Sequence, residues 1–460
     1  MDLAPPSDIF DFLHFQTPTT EQRAALSALQ DFVQEDDKRD FFILCGAAGT
    51  GKTSLVSALT GYLNSRKQGY RIAAPTGRAA RILSRKAGST AGTVHSMIYL
   101  AKSDPKTGRV NLKLKTAHFE KPVLFIIDEA SMISTKNQPA DGLFSAPRSL
   151  LFDLIEYIKK ANASNKILFL GDRYQLPPIM EEEALALRQD YIEENFNLKG
   201  QSHWLTEVKR QSDGSYILEN ATDIRKAIDA GKQKHPIMGK QANSIYTAAA
   251  DYVKEAEREG PGHAISLAVS HKANAFFNSL VREKMFGKAN QLLETGDLLI
   301  SLTNWNRNGA EIHNGDHVQL IEVDWSLQEQ VAGLHFVAVQ VKPLFEGEDT
   351  IIEDYLLVET LMYPGGKLSP DPIAHSQLEN GLRQERNTKN PQYRESGNPA
   401  DDRYVGALRL AYGHAITCNK AQGGEWKKVY INTFGIPNLK WQYTAVTRAQ
   451  EEVERFGPNQ

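Results

Sequence analysis

Residues 41–54 read FFILCGAAGTGKTS: an apolar run, Phe41 to Cys45, breaks abruptly into Gly46-Ala47-Ala48-Gly49-Thr50-Gly51-Lys52-Thr53-Ser54. The eight residues from Gly46 to Thr53 fill the pattern G-x-x-x-x-G-K-[ST], with a strand-like run before it and a helix-compatible run, Thr53 to Leu63, after it. Each residue type has a physical reason. Glycines let backbone N–H groups curl around phosphate oxygens with no side chain in the way. A helix opening near Lys52 adds its partly positive N-terminus. Lys52 is placed to reach β- and γ-phosphates, and the Thr53 hydroxyl to ligate Mg²⁺. Gly-rich strand-to-helix turns also occur where nothing binds, but they do not fill all eight positions between the correct flanks. The stretch therefore predicts an α/β domain with a phosphate site at a strand's carboxyl end.

Composition bounds the rest. A chain of 460 residues with 41% apolar content supports two to four domains with real cores. A formal charge of −3 excludes a basic field over the whole protein, so any nucleic-acid contact must come from a local groove. Two cysteines, Cys45 and Cys418, make neither a disulfide framework nor a four-cysteine zinc site, and both sit in apolar runs. No secretory signal and no membrane-length apolar run is visible. The expectation is a soluble protein of a reducing, cytoplasmic compartment.

Outward from the phosphate loop, a capping signal at Thr19-Thr20-Glu21-Gln22 opens a helix with Ala25, Leu29, Phe32 and Val33 at helical spacing. Gln22 could present its amide to an adenine edge, or be a solvated helix residue. Residues 1–16, with Ile9, Phe10, Phe12 and Phe15, read as a docked arm. Short apolar runs recur downstream, each ending in polar residues: Arg71–Ala74 before Pro75-Thr76-Gly77, Val123–Ile127 before Asp128-Glu129, Ile167–Leu170 before Gly171-Asp172. Strands alternating with helical patterns predict a parallel sheet covered on both faces. The pattern resumes at Ile265–Val269, with a helix from Lys272 to Phe286, then at Lys428–Thr433 with a helix from Leu439 to Arg448. A second α/β domain follows, split by an insertion at 298–407. The first part of that insertion alternates like a small β-barrel; the second, Tyr363 to Tyr404, reads as a long polar loop or arm.

Three clusters carry chemistry. Besides the phosphate loop, Asp128-Glu129 closes a buried strand, where one acid can bind Mg²⁺ and its neighbour can orient an attacking water, although a pair of acids can also cap the next helix. The third cluster is Gly171-Asp172-Arg173-Tyr174-Gln175-Leu176-Pro177-Pro178, in which Gln175 would sense the γ-phosphate.

Taken in order, EQ, GAAGTGKTS, APTGRAARIL, TVHS, FIIDEASM, GDRYQLPP, LTEVKRQ, AITCNKAQGGEW and YTAVTRAQ resemble the motifs of superfamily 1 DNA helicases. More narrowly they are similar to the 5′→3′ branch of RecD-like and Dda-like helicases. The resemblance implies two RecA-like motor domains with ATP between them, a small inserted pin, and an SH3-like insertion. The boundaries expected are 1–200 for the first motor domain with the pin at 93–121, 201–297 and 408–460 for the second, and 298–407 for the insertion. It implies catalytic roles for Lys52, Asp128, Glu129 and Gln175, with Arg210 and Arg448 as arginine fingers. Read without the resemblance, those two arginines would be surface residues and His95 a satisfied, half-buried histidine. Thr53 and Asp128 would hold Mg²⁺. Gln22, the loop residues Gly46 to Ser54, and Gln422, Gly423 and Glu425 would bind nucleotide. Pro75, Thr76, Thr93, His95, Ser96, Thr417, Asn419 and Lys420 would hold the single strand, mostly by its phosphates.

One departure stands out: Asn419 occupies the position where the family carries histidine, so coupling between nucleotide and strand is in question there. The region Tyr99 to Lys121 matches the pin in position and carries Lys102, Lys106, Arg109, Lys113 and Lys115; a solvated hairpin with no wedge role fits equally. The function implied is an ATP-dependent helicase moving 5′→3′ on single-stranded DNA and opening forked duplex. A translocase that strips proteins but unwinds poorly, and an ATP-gated nucleic-acid-binding module, are the alternatives. A monomer in a bacterial or phage-infected cell, with replication or repair proteins as partners, completes the expectation.

Overall fold

Phe41–Gly46 forms strand β1, and all six residues are buried. An apolar run without polar alternation is what a strand covered on both faces requires. Along the chain follow β2 (Tyr70–Ala74), β3 (Ala91–Thr93), β4 (Tyr99–Ser103), β5 (Val110–Leu114), β6 (Leu124–Ile127), β7 (Phe144–Ser145), β8 (Lys166–Gly171) and β9 (Gly200–Leu205). The computed structural model describes residues 8–15, 17–103, 110–137, 144–145, 148–207, 216–288, 291–345 and 349–457. It divides into two compact units, residues 1–100, 113–138 and 146–214, and residues 101–112, 139–145 and 215–460.

In the first unit the sheet order is β3-β2-β6-β8-β1-β9, with every pair parallel. Strand β9 carries this unit past residue 200, and Gly200 is needed there because a Cβ would lie 2.3 Å from the Phe41 ring. Helices α1 (Thr20–Phe32), α2 (Lys52–Ser65) and α3 (Gly77–Ala87) cover one face, packing Leu29, Phe32, Leu59 and Leu83 on Phe42, Leu44 and Ile126. Further along lie α4 (Val94–Ile98), α5 (Leu150–Ala161) and α6 (Gln189–Phe196). Tyr157 of α5 meets Phe125, a residue of opposite parity in β6, with ring centroids 6.3 Å apart. The N-terminal arm is docked: Ile9 is buried in the same core, and Phe12 packs so closely on α2 that Gly61 could carry no Cβ without meeting it at 2.8 Å. Strands β4, β5 and β7 form a separate three-stranded sheet at the expected pin. Residues 104–109, Lys106 and Arg109 among them, lie outside the described residues.

The second unit holds α7 (Tyr216–Asp229), β10 (Lys240–Gln241), α8 (Ile245–Glu259), β11 (Ala264–Ala268) and α9 (His271–Phe286). Then come β12 (Leu298–Ser301), β13 (Trp305–Arg307), β14 (Ala310–Ile312), β15 (His317–Val331), β16 (Leu334–Pro343) and β17 (Ile352–Leu357). Helices α10 (Glu359–Met362), α11 (Pro372–Lys389) and α12 (Pro391–Ser396) precede β18 (Leu410–Tyr412), β19 (Ala415–Thr417), β20 (Trp426–Asn432), α13 (Leu439–Val446) and β21 (Ala449–Phe456). A second parallel sheet runs β10-β21-β20-β11-β19. Strand β21 reads poorly in sequence because its acids mask Ala449, Val453 and Phe456, which are buried. One of those acids, Glu454, lies 3.3 Å from the buried Lys428 ammonium, which also holds Asp251 at 2.7 Å.

Between α9 and β19 the chain makes an antiparallel sheet, β17-β16-β15-β12-β18. Its two edges meet: Leu357 N donates to Leu408 O at 2.9 Å, and Leu408 N to Tyr355 O at 2.8 Å. This isolated bridge just before β18 curls the sheet around a core of Leu299, Val318, Leu320, Val339, Leu356 and Leu410. The polar stretch 363–404 corrects the expectation of a loop or arm, because it contains the 18-residue helix α11. Asp371 caps that helix, with Pro372 in its first turn. Leu382, Tyr393 and Tyr404 bury against Phe336 and Leu357 of the antiparallel sheet. Much of the anchorage is ionic, Glu379 with Arg409 and Arg386 with Asp402 at 2.8 Å. Hydrophobic periodicity does not register such charged anchors.

Candidate nucleotide and strand site

Gly46 ends β1, and the chain turns through 47–51 into α2, which starts at Lys52. Gly49 and Gly51 have φ of 81° and 88°, the left-handed region that favours glycine. A Cβ on Gly46 would meet Thr50 Oγ1 at 2.5 Å, and that hydroxyl donates to Ala47 O at 2.9 Å. Lys52 Nζ donates to Gly46 O at 2.5 Å and to Ala47 O at 3.1 Å. Thr53 is half-buried beside it, whereas Ala48 is half-buried and Ser54 exposed.

Gln22 corrects the solvated reading: it is 3% exposed. Its Oε1 accepts from Thr19 N at 2.9 Å, closing the α1 cap, and its Nε2 donates to Thr50 O at 2.9 Å. The same Nε2 would be 2.8 Å from a Cβ on Gly51. The amide thus braces the phosphate loop from behind.

The sheet order brings the other clusters to this loop. Cys45 is in register with Gly171, and Ile127 with Phe169, so β1, β8 and β6 end side by side. Asp128, Asp172 and Gly46 consequently follow one another along the strands' carboxyl ends, where parallel α/β sheets bind ligands. Burial pushes the Asp128 carboxyl above its usual range, against a pull from the Glu129 N–H and the Lys52 ammonium. Glu129 has φ 48°, an uncommon conformation for a non-glycine residue that costs on the order of 1–3 kcal/mol and clusters at functional sites. Its amide donates to Asp128 Oδ1 at 2.8 Å.

Gln175 is buried and its N donates to Asp172 O at 3.2 Å; its Oε1 has no partner among the described residues. Arg173 stacks between Tyr174 and Trp204, 4.8 and 4.6 Å from their ring centroids. Sequence reading missed Glu181. Its carboxylate accepts from Ser134 Oγ at 2.6 Å, Thr135 N at 2.9 Å and Thr135 Oγ1 at 2.8 Å. That clamp ties the loop after Gln175 to the loop after Glu129, and no motif signals it.

At the ends of β2 and β3 lie the residues expected on the strand track. Ala74 is in register with Thr93, which puts Pro75-Thr76 beside it. Thr76 and Thr93 cap α3 and α4, accepting from Ala79 N at 3.2 Å and Ser96 N at 3.0 Å. His95 packs on Tyr99 with centroids 5.9 Å apart, and burial lowers its pKa. Ser96 is exposed, and Lys115 Nζ donates to its carbonyl at 2.5 Å.

In the second unit, Thr417 ends β19 and its Oγ1 accepts from Lys420 N at 3.4 Å. Asn419 is half-buried, with its carbonyl accepting from Gln422 N at 3.3 Å. Lys420 Nζ donates to Asn314 Oδ1 at 2.8 Å, and burial pulls the ammonium down to about 8. Gly423 turns with φ 74°, and Glu425 accepts from Gln450 Nε2 at 3.0 Å. Arg448 corrects the surface reading: it is 4% exposed, with its guanidinium donating to Thr444 O, Gly424 O and Thr447 Oγ1 at 3.1–3.2 Å. Arg210 lies outside the described residues. Both cysteines are free and buried, their thiols pushed up to about 12 by burial. Among the described residues no helix is long and apolar enough to cross a membrane.

A strand-end phosphate loop, adjacent acids and a second parallel sheet define a P-loop nucleoside triphosphatase of motor type. Residues 18–243 match the AAA domain family, and residues 412–453 the UvrD-like helicase C-terminal domain, together more than half of the chain. The ATP-dependent DNA helicase dda of Enterobacteria phage T4 is 25% identical over 336 residues, covering 68% of this chain and 69% of that protein. The ATP-dependent RecD2 DNA helicase of Deinococcus radiodurans is 31% identical over 137 residues, 30% of this chain and 16% of that protein. The crystal structure of Pif1 helicase from Candida albicans shares the fold at a TM-score of 0.50 and 16% identity, over 97% of this chain and 95% of that one. In both halves, then, the chain is similar to superfamily 1 DNA helicases of the Dda and RecD-like kind.

Proposed function

We propose that the chain is an ATP-dependent DNA helicase that moves 5′→3′ along single-stranded DNA and opens forked duplex. One observation carries the chemistry: Lys52 and Thr53, Asp128 and Glu129, and Asp172 to Gln175 leave three adjacent parallel strands at the same edge. The glycine cradle accepts phosphates because no side chain fits at Gly46 or Gly51. Lys52 holds the β- and γ-phosphates. Thr53 and Asp128 would hold Mg²⁺, and a buried carboxyl pushed upward by desolvation suits a bound cation. The metal, when bound, would neutralise charge on the phosphates. Glu129 orients the attacking water, Gln175 reports on the γ-phosphate through an amide oxygen unpartnered among the described residues, and Arg210 and Arg448 stabilise charge on the transferring group. Pro75, Thr76, Thr93, His95 and Ser96, with Thr417, Asn419 and Lys420, grip the strand chiefly by its backbone. Gln422, Gly423 and Glu425 complete the nucleotide set. The domain boundaries proposed remain a motor core interrupted by an inserted pin and a β-rich module.

Unwinding of otherwise identical forks carrying a 5′ or a 3′ tail tests this. The 5′-tailed fork should open and the 3′-tailed fork should not. The reverse would overturn the polarity while leaving the motor. Strand-stimulated ATPase with neither fork opened would favour a translocase, and Asn419 would be the first position to restore to histidine.

A further inference from the structure

In the second unit a cavity of about 460 Å³ lies between α9 and α10 with the turn Tyr363–Gly365, bordered by Thr417 and Lys420. That volume falls in the range of small-ligand pockets. Helix α9 lines it with His271, Ser279 and Glu283 and with a stripe of three at four-residue spacing, Asn274, Asn278 and Arg282. Two of the three are spent. Asn278 exchanges hydrogen bonds with Ala415, Nδ2 to O at 3.2 Å and Oδ1 from N at 2.9 Å. Arg282 pairs with Asp297 at 2.7 and 2.9 Å. Asn274 is 4% exposed, and neither its Nδ2 nor its Oδ1 has a partner among the described residues. Leaving a whole buried amide unpaired is costly and calls for an explanation.

The remaining wall supplies what a nucleotide needs. Ile300, Leu302 and Pro364 are apolar, Tyr363 is aromatic, and Lys420 places an ammonium at the border. We propose that this cavity takes one base of the bound single strand, with its hydrogen-bonding edge paired by the Asn274 amide and the adjoining phosphate near Lys420. The inference rests on the single-strand reading above and adds a base contact to a grip made otherwise on the backbone. An amide offers both donors and an acceptor and can turn over, so it complements the donor and acceptor edge of any of the four bases. The cavity therefore senses that a base is present without choosing its sequence, as a motor that must pass every sequence requires.

The test is binding of the full chain to oligothymidylate and to the same backbone made wholly of abasic residues, for wild type and Asn274→Leu. Asn274→Leu should reduce the preference for the base-bearing strand by about three- to tenfold, with abasic affinity unchanged. Its melting temperature should not fall, because the substitution removes an unpaired buried amide. Asn274→Ser, which fills less space, should lose the same preference and guards against a packing artefact. An unchanged ratio in both variants would overturn the proposal while leaving strand binding intact. Failure of wild type to bind either strand would overturn the underlying reading as well.

Discussion

At Lys52 the ammonium already faces the loop it serves, donating to the Gly46 and Ala47 carbonyls, so a triphosphate would replace neutral acceptors with charged ones. Lys52→Ala should abolish measurable ATP turnover. Glu129→Gln should still bind ATP while kcat falls by about 10²–10⁴, the span of a lost general base. Wild-type turnover in Lys52→Ala, read by phosphate release, would move the nucleotide site elsewhere. Burial lowers the Lys420 ammonium to about 8, so its charge should be lost as pH rises from 7 to 9. Its contribution to strand affinity should fade over that window, and Lys420→Arg should flatten the profile because guanidinium stays charged. The stability sign is opposite. Between about 8 and 10.5 the unfolded chain binds more protons at this lysine, so folding gains with rising pH. A pH profile of affinity identical in Lys420→Arg and wild type would remove Lys420 from the track.

Among the elements, the loops after β6 and β8 matter most, because Glu181 joins them through Ser134 and Thr135. That clamp ties the loop after the strained turn at Glu129 to the loop holding Gln175. Glu181→Ala should lower kcat between about tenfold and a hundredfold, since small misplacements of reacting groups cost that much, with ATP affinity nearly unchanged. Glu181→Gln keeps an acceptor oxygen and should recover most of the loss. Equal kcat in Glu181→Ala and wild type would show the two loops to be independent. Helix α11 teaches a different lesson at this scale. Its few apolar side chains, Leu378 and Leu382 among them, were too sparse to announce a helix, and Glu379 is fixed by a buried arginine some 30 residues away in sequence. Asp371-Pro372 was the available signal, an N-cap followed by a first-turn proline.

For the whole molecule, a net charge of −3 means that the proposed strand binding would depend on local clusters, for which Lys420 and the capped ends of α3 and α4 are the candidates. Affinity for single-stranded DNA should fall linearly on a log–log plot with salt, at a slope of about −0.7 for each phosphate neutralised. ATPase should rise sharply with single strand and little with blunt duplex, with little sequence preference. Salt-independent binding would place apolar stacking, rather than the phosphate contacts, in charge of the grip.

The residue order by itself determined the phosphate loop, both parallel sheets and the acids at a strand end, whereas the antiparallel sheet runs on to Tyr412, past the boundary expected at 407. These rest on local rules: apolar runs that must be buried, glycines at positive φ, and polar residues where a strand meets its crossover. The N-terminal arm and the β-rich character of the insertion's first half were legible for the same reason. What only the tertiary structure decided depends on partners distant in sequence. Gln22 is buried because Thr50, 28 positions on, offers its carbonyl. Arg448 is buried because Gly424 and Thr444 surround its guanidinium. The antiparallel sheet curls through Leu408 and Leu357, and the open amide of Asn274 exists only because its neighbours on α9 are satisfied elsewhere. A side chain's type limits which bonds it can make, but only the folded chain determines which of those bonds are left open.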